Sequence, residues 1–192
     1  MSPTDDADRS VSTLPDGLWT QPLPSGIDLG DVDAVQRLRM PAAMVYDYSP
    51  GLARTRFLRG LQEKRILGER CPETGDVYVP PTGVAPVSGL LTTEQVEVGP
   101  NATITSFCVV HIGFGVNAPP TPFVSALFLP DGAAVSLYGT VGEIDHDKVR
   151  IGMRVEPVWV DDDQLTTSME NIRYWRPIDE PDVPAEQLKG HM

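Results

Sequence analysis

Phe123-Val124-Ser125-Ala126-Leu127-Phe128-Leu129-Pro130-Asp131-Gly132-Ala133-Ala134-Val135-Ser136-Leu137-Tyr138 is the stretch that decides the architecture. Apolar and polar residues alternate over 123–129 and again over 134–138, the two-residue period of a half-buried strand, and Pro-Asp-Gly between them is a tight-turn signal. The alternation recurs over 92–98 and 103–112, β-branched residues recur over 149–160, and 168–175 reads as a final strand. Nineteen prolines and seventeen glycines in 192 residues confine long helices to a minority of the chain.

About five strands of this length and spacing suit a small closed antiparallel barrel of the OB type. The expected fold is therefore mainly β, with an N-terminal helix and small ribbon ahead of a five-stranded OB barrel, a flexible N-terminal arm and a C-terminal tail. Residues 1–48 form the arm: Asp5, Asp6, Asp8, Pro15, Pro22 and Pro24 surround few apolar residues, too few to bury a core. Trp19 and Leu23 read as a short anchor or as part of an unstructured leader. Residues 49–70 are the helix, with Ser49 as cap, Pro50 in the first turn, and Leu52, Phe57, Leu58 and Leu61 at helical spacing. Residues 71–89 are a loop-rich ribbon around Tyr78, residues 90–176 the barrel, and the acidic, Pro-rich residues 177–192 the tail.

Fifteen basic against 27 acidic residues leave a net charge of −12, which repels phosphate backbones and anionic lipid and argues against nucleic acid or membrane as partner. The start of the chain lacks the basic and apolar regions of a signal peptide, and no apolar run reaches the length of a membrane span; a cytoplasmic protein is expected. Cys71 and Cys108 are too few for a disulfide scaffold and are expected as thiols. Asn101-Ala102-Thr103 reads as a turn entering a strand. Within this acidic chain residues 51–70 form a basic island: Arg54, Arg56, Arg59, Lys64, Arg65 and Arg70 against Glu63 and Glu69 give +4, so the rest carries −16. Charge alone describes a solvated face; the functional reading is docking to an acidic partner or an anionic ligand.

A catalytic set is not visible. His111 lies in a strand beside Phe107 and Ile112 with no partner near it in sequence, so a packed or pore-facing imidazole is expected rather than a general base. Asp145-His146-Asp147 has metal-ligand types, but adjacent residues in a short loop diverge, and a turn explains them equally well. Gly113-Phe114-Gly115 has no following helix or Lys and is no phosphate loop. Phe107, Phe114, Phe123 and Tyr138 could stack bases, as single-strand-binding OB folds require, yet the surface charge is wrong for that class.

The order of features resembles the acyl-CoA-associated OB-fold family, whose members join an N-terminal helix and a rubredoxin-like zinc ribbon to an OB domain. The residues carrying the resemblance are Phe57-Leu58-x-Gly60-Leu61 and Leu67, Cys71 and Gly75, and Tyr78-x-Pro80-Pro81. In the barrel they are Pro122-Phe123-Val124, Ala126-Leu127, Gly132, and Val149-Arg150-Ile151-Gly152-Met153-Arg154-Val155. The family's two Cys-x-x-Cys knuckles fall on Cys71 and Thr74 and on Ala85 and Ser88. One of four ligands remains, so the resemblance implies a degenerate ribbon and zinc is not expected.

It further implies a non-catalytic companion of a thiolase-superfamily acyl-CoA enzyme, such as a lipid-transfer-protein-like aldolase of steroid side-chain degradation, in a hetero-oligomer. A coenzyme A ester would be bound in the complex, with no cofactor held by this chain directly. Candidates for contact with the partner or coenzyme A are Arg54, Arg56, Arg59, Lys64, Arg65, Tyr78, Pro80 and Pro81. The alternative is a stand-alone or hydratase-associated acyl-CoA-binding module.

Overall fold

A computed structural model describes residues 47–113 and 119–191. The expected arm over 1–48, with Trp19 and Leu23, lies outside the described residues apart from its last two positions, as do Phe114 and Gly115.

The helix α1 spans Gly51–Gln62, with Pro50 at the N-cap and no side-chain capping bond; the expected cap by Ser49 is not used. It is also shorter than the expected 49–70. Lys64 adopts φ 58°, its N–H donates to the Leu61 carbonyl (3.1 Å), and the Arg65 N–H donates to the Gly60 carbonyl (2.8 Å). This pair of bonds around a left-handed residue is the Schellman stop. Lysine stands where glycine usually marks it, so the stop left no mark in the sequence. The chain then enters strand β1, Ile66–Arg70, which pairs antiparallel with β2, Val77–Tyr78, on one side and along its full length with β3, Glu94–Val98, on the other. The alternating segment 92–98 thus belongs to this small sheet, ordered β2-β1-β3, and the barrel begins later than residue 90.

The barrel is built from β4 (Ala102–Val110), β5 (Phe123–Pro130), β6 (Leu137–Val141), β7 (Arg154–Trp159) and β8 (Ile172–Pro177). Its order is β4-β5-β6-β8-β7, closed by pairing of Ala102 with Val155 and Thr103 with Arg154. All pairs are antiparallel except β6 with β8. This is the OB arrangement. The Pro-Asp-Gly turn forms as expected, with the Ala133 N–H donating to the Pro130 carbonyl at 3.0 Å.

Helix, small sheet and barrel share one core. Phe57 and Leu61 from α1, Ile66, Val77, Val79 and Val98 from the sheet region, and Ile104, Phe128, Val155 and Trp175 from the barrel form a continuous buried cluster. Phe128 and Trp175 stack at 4.9 Å between centroids, 17° from parallel. α1 comes close to β1 because Gly60 has no side chain: a Cβ there would stand 2.7 Å from Leu67 Cδ1.

The expected tail is fastened down. After β8 ends at Pro177 the chain returns along β7 and the turn before it: the Ile178 N–H donates to the Arg154 carbonyl and the Val183 N–H to the Gly152 carbonyl (2.8 Å). Glu180 pairs with Arg154 at 2.9 Å, and Asp182 with Arg150 through two hydrogen bonds. Leu188 is buried. Arg154, itself buried, also donates to Asp131 (2.6 and 2.7 Å) and to the Thr103 hydroxyl (2.9 Å). An acidic, Pro-rich segment without apolar period gives no sign of burial in sequence, because charge pairing and not a hydrophobic face holds it.

Among the described residues no helix is long and apolar enough to cross a membrane. Left-handed backbone at a residue with a Cβ carries a penalty of roughly 1–2 kcal/mol that glycine escapes. Lys64→Gly is therefore expected to stabilise the protein by roughly 1 kcal/mol after the entropy glycine adds to the unfolded chain, read from urea midpoints; a loss of stability would show that Lys64 contributes more through its exposed pairing with Asp162.

Candidate functional site

Two loops of the small sheet are built alike. In the first, the Cys71 N–H donates to the Asp76 carbonyl at 2.7 Å and the Gly75 N–H to the Cys71 carbonyl at 3.0 Å. In the second, the Ala85 N–H donates to the Leu90 carbonyl at 2.8 Å and the Gly89 N–H to the Ala85 carbonyl at 2.9 Å. Gly75 (φ 80°) and Gly89 (φ 71°) take the left-handed turn at equivalent places, the conformation glycine adopts without strain. The repeat brings together the four positions singled out in the sequence. Cys71 and Ala85 share a buried cluster with Tyr78, Ser88 Oγ lies 3.7 Å from Cys71 Sγ, and the Thr74 hydroxyl donates to the Asp76 carboxylate at 2.7 Å.

A structural zinc site needs four donors, normally thiolates or imidazoles. One thiol, two neutral hydroxyls and a methyl group do not fit that ion. Among the described residues no group of three or more His, Cys, Asp or Glu side chains could hold a metal. The hydroxyls act on the sulfur instead: the Thr74 hydroxyl first and the Thr74 backbone N–H next lower the Cys71 thiol to about 7, against burial, which raises it, with smaller help from the Glu73 N–H and the Ser88 hydroxyl. Cys71 is 1% exposed. Its partners thus perform locally what a cation would do by charge. The Tyr78 hydroxyl, by contrast, is raised, chiefly by burial.

The structure separates the candidate contact residues into two groups. Tyr78 and Pro81 are buried and Pro80 half-buried, so this part of the ribbon packs inward. Most of the basic island is neutralised by acidic residues distant in sequence. Arg65 donates to Glu97 (2.8 Å) and Glu63 (3.4 Å), Arg70 to Glu94 (3.1 Å), and Lys64 pairs with Asp162. Arg56 lies 3.9 Å from Glu69, a carboxylate only 2% exposed that also accepts from the Thr92 hydroxyl at 2.7 Å. Arg54 and Arg59 have no charged partner among the described residues.

What the sequence reading missed is an apolar surface beside that helix. Val84, Val87, Leu90 and Leu91 of the second loop and Leu52 of α1 are exposed, Val87 to 82%. Loop and helix meet where a side chain on Gly83 would stand 3.7 Å from Ala53 Cβ. Leu52, Arg56 and Arg59 are spaced four and three residues apart, on one face of α1. The signal was present as Gly-Val-Ala-Pro-Val-Ser-Gly-Leu-Leu, residues 83–91, but an apolar run inside a loop does not reveal whether it faces inward.

His111, expected in a strand as a packed or pore-facing imidazole, is exposed just past the end of β4, so it is not packed. It meets His146 edge to face, with ring centroids 6.1 Å apart. Asp145, beside His146, pairs with Lys148 and is held below its usual range by that hydrogen bond. Cys108 is a second free thiol, exposed on β4.

Residues 95–160 match the family model described as the C-terminal OB-fold domain of ChsH2. Among solved structures, the chain resembles one from the Ltp2-ChsH2(DUF35) aldolase, at 23% identity and TM-score 0.50, covering 66% of this chain and 95% of that one. It also resembles a DUF35-family protein of unknown function from Sulfolobus solfataricus, at 18% identity and TM-score 0.47, covering 64% and 81%. The first of these is a likeness of fold. No curated protein matches the chain.

With Cys108 replaced by Ser, ultraviolet thiolate absorbance of Cys71 is expected to titrate with a midpoint of about 7, and Thr74→Val to move that midpoint toward the unperturbed 9.0. Because the folded value lies below the unfolded one, the thiolate contributes stability above pH 9.0 that is lost as pH falls through about 7. Equimolar zinc is expected to leave Tm unchanged; a chelator-sensitive rise would overturn the mismatch of donors.

Proposed function

With the segment 95–160 matching the OB domain of ChsH2, we propose that this chain is a non-catalytic subunit of a thiolase-superfamily acyl-CoA enzyme. The partner would be a lipid-transfer-protein-like enzyme of the steroid side-chain aldolase class, joined to this chain in a cytoplasmic hetero-oligomer and gaining part of its acyl-CoA channel from it. The observation that carries the proposal is the exposed apolar surface of Leu52, Val84, Val87, Leu90 and Leu91, with Arg59 on the Leu52 face of α1. A cluster of exposed aliphatic side chains next to an uncompensated cation is the composition of an interface core with a charged rim, not of a surface meant for water.

The solved Ltp2-ChsH2 aldolase, one chain of which shares this fold, supplies the class of partner. The reading assigns the chemistry of carbon–carbon cleavage to that partner, and to this chain the shaping of the route along which a thioester would reach it. No zinc or other cofactor has a role here. Arg54 and Arg59 also favour a second reading, in which the isolated chain binds the phosphates of coenzyme A. Calorimetry separates the two: tight binding of a coenzyme A ester without any partner would select the second.

Co-expression with the thiolase-like enzyme encoded beside it is expected to yield a stable complex with higher acyl-CoA turnover than the enzyme alone. Replacing Val87 and Leu91 together by Asp should leave the chain folded while weakening association about a hundredfold, the effect of losing two interface anchors of about 1.4 kcal/mol each. Turnover of a thioester by this chain alone, or unchanged association of the double variant, would refute the proposal.

A further inference from the structure

The barrel wall opens between β6 and β8. These parallel strands meet at the single pair Val141 with Trp175, so β6 from Leu137 to Thr140 faces a groove instead of a neighbouring strand. The groove holds about 210 Å³. Its apolar wall comes from Leu137, Met169 and Ile172, and Tyr138 lines it as well, 68% exposed. Size restricts what fits: a cavity of about 150 Å³ accepts benzene, whereas drug-sized sites run to roughly 300–1,000 Å³. One ring or one branched chain can enter, and a polycyclic acyl group cannot.

At the floor is Trp175, 1% exposed. Its indole N–H makes no hydrogen bond with any described residue, yet no buried side-chain nitrogen or oxygen is left without a partner. The N–H therefore opens onto the groove that the ring lines. Gly139 leaves it open, since a Cβ there would stand 3.2 Å from both Trp175 Cδ1 and Nε1. The rim carries one charge of each sign, Glu170 and Arg173, and neither is ion-paired among the described residues.

We propose that this groove binds a small zwitterion with an apolar body, of the class of free hydrophobic α-amino acids. The body lies against Met169, Ile172 and the ring of Tyr138. Arg173 takes the carboxylate, Glu170 the ammonium group, and the Trp175 N–H donates to a carboxylate oxygen. The charges decide among ligand classes. A simple anion would have to pass Glu170, a simple cation would meet Arg173, and a neutral hydrocarbon would leave the indole N–H desolvated without an acceptor. The proposal is independent of the partner enzyme, because the groove lies on the barrel and its residues are not those of the apolar loop surface.

The test is titration of the full, nitrogen-labelled chain with L-phenylalanine, followed by the indole resonance of Trp175. A saturable shift is expected with Kd on the order of 1 mM, as suits about twelve non-hydrogen atoms at drug-like efficiency. Phenylacetate and phenethylamine, each lacking one charge, should bind about tenfold more weakly, the worth of one charge-assisted bond. Gly139→Ala, which fills the floor, should abolish the shift, and Arg173→Ala, an exposed change that leaves the wall intact, should weaken binding about tenfold. A Trp175 resonance that does not move, or unchanged affinity in Arg173→Ala, would overturn the proposal. So would equal binding of N-acetylphenylalanine amide, which would make the groove a receptor for a side chain of a partner protein.

Discussion

Burial of Phe57 and Leu61 against the small sheet and the barrel is the interaction on which the rest depends. Both side chains are fully buried, and they sit in the same cluster as Val98, Phe128 and Trp175. Each such side chain contributes roughly 1.5–3 kcal/mol by leaving water. A ribbon of two short loops and a two-residue strand has little core of its own, and a domain of that size ordinarily needs a metal or a disulfide. Here its apolar residues, Val77 and Val79, join a core that the helix and barrel already supply. The ribbon therefore does not depend on a metal of its own to be held in place. The two loops keep their glycines and backbone bonds, which depend on turn geometry and not on the ion.

Electrostatics divides in the same way between local and distant. A helix and strand carrying six cations would repel one another in isolation. In the fold Glu94 and Glu97 of β3, Asp162 after β7 and the buried Glu69 are brought against them. The net effect is to leave Arg54 and Arg59 as the cations of this helix without a charged partner among the described residues. A second set, Arg150 and Arg154 with Asp131, Glu180 and Asp182, fastens the C-terminal segment to the barrel. Arg154 is buried and bonded on every side, so it organises the turn after β5, the start of β4 and the returning chain at once.

Much of the barrel was legible because its strands alternate with period two and the Pro-Asp-Gly turn is local. The helix was legible in its apolar spacing but not in its end, since Lys64 takes the left-handed role usually given to glycine. The segment 92–98 is recognisable as a strand, but its place in the small sheet is not; alternation reports that one face is buried and says nothing of which strand it pairs with. The candidate site was legible in part. Thr74, Ala85 and Ser88 were marked only through the resemblance to a family with two Cys-x-x-Cys knuckles, and the likeness of the two loops that carry them is visible only in the backbone bonds. The exposure of Val87 and Leu91 was hidden, because apolar residues in a loop look the same whether they face core or water.

By itself the sequence determined β3 and the barrel strands, the turn between β5 and β6, the existence of the helix and the poverty of metal donors, all of which depend on residue type and near neighbours, whereas β1 was read as the end of the helix. Only the tertiary structure decided where the helix stops, which sheet β3 joins, which arginines stay unpaired, and that the acidic end is bound and not free. The helix stop is made by local bonds at Lys64 and Arg65; the other outcomes rest on contacts between residues tens of positions apart, where pairing energy and shape select among partners that local pattern leaves equivalent.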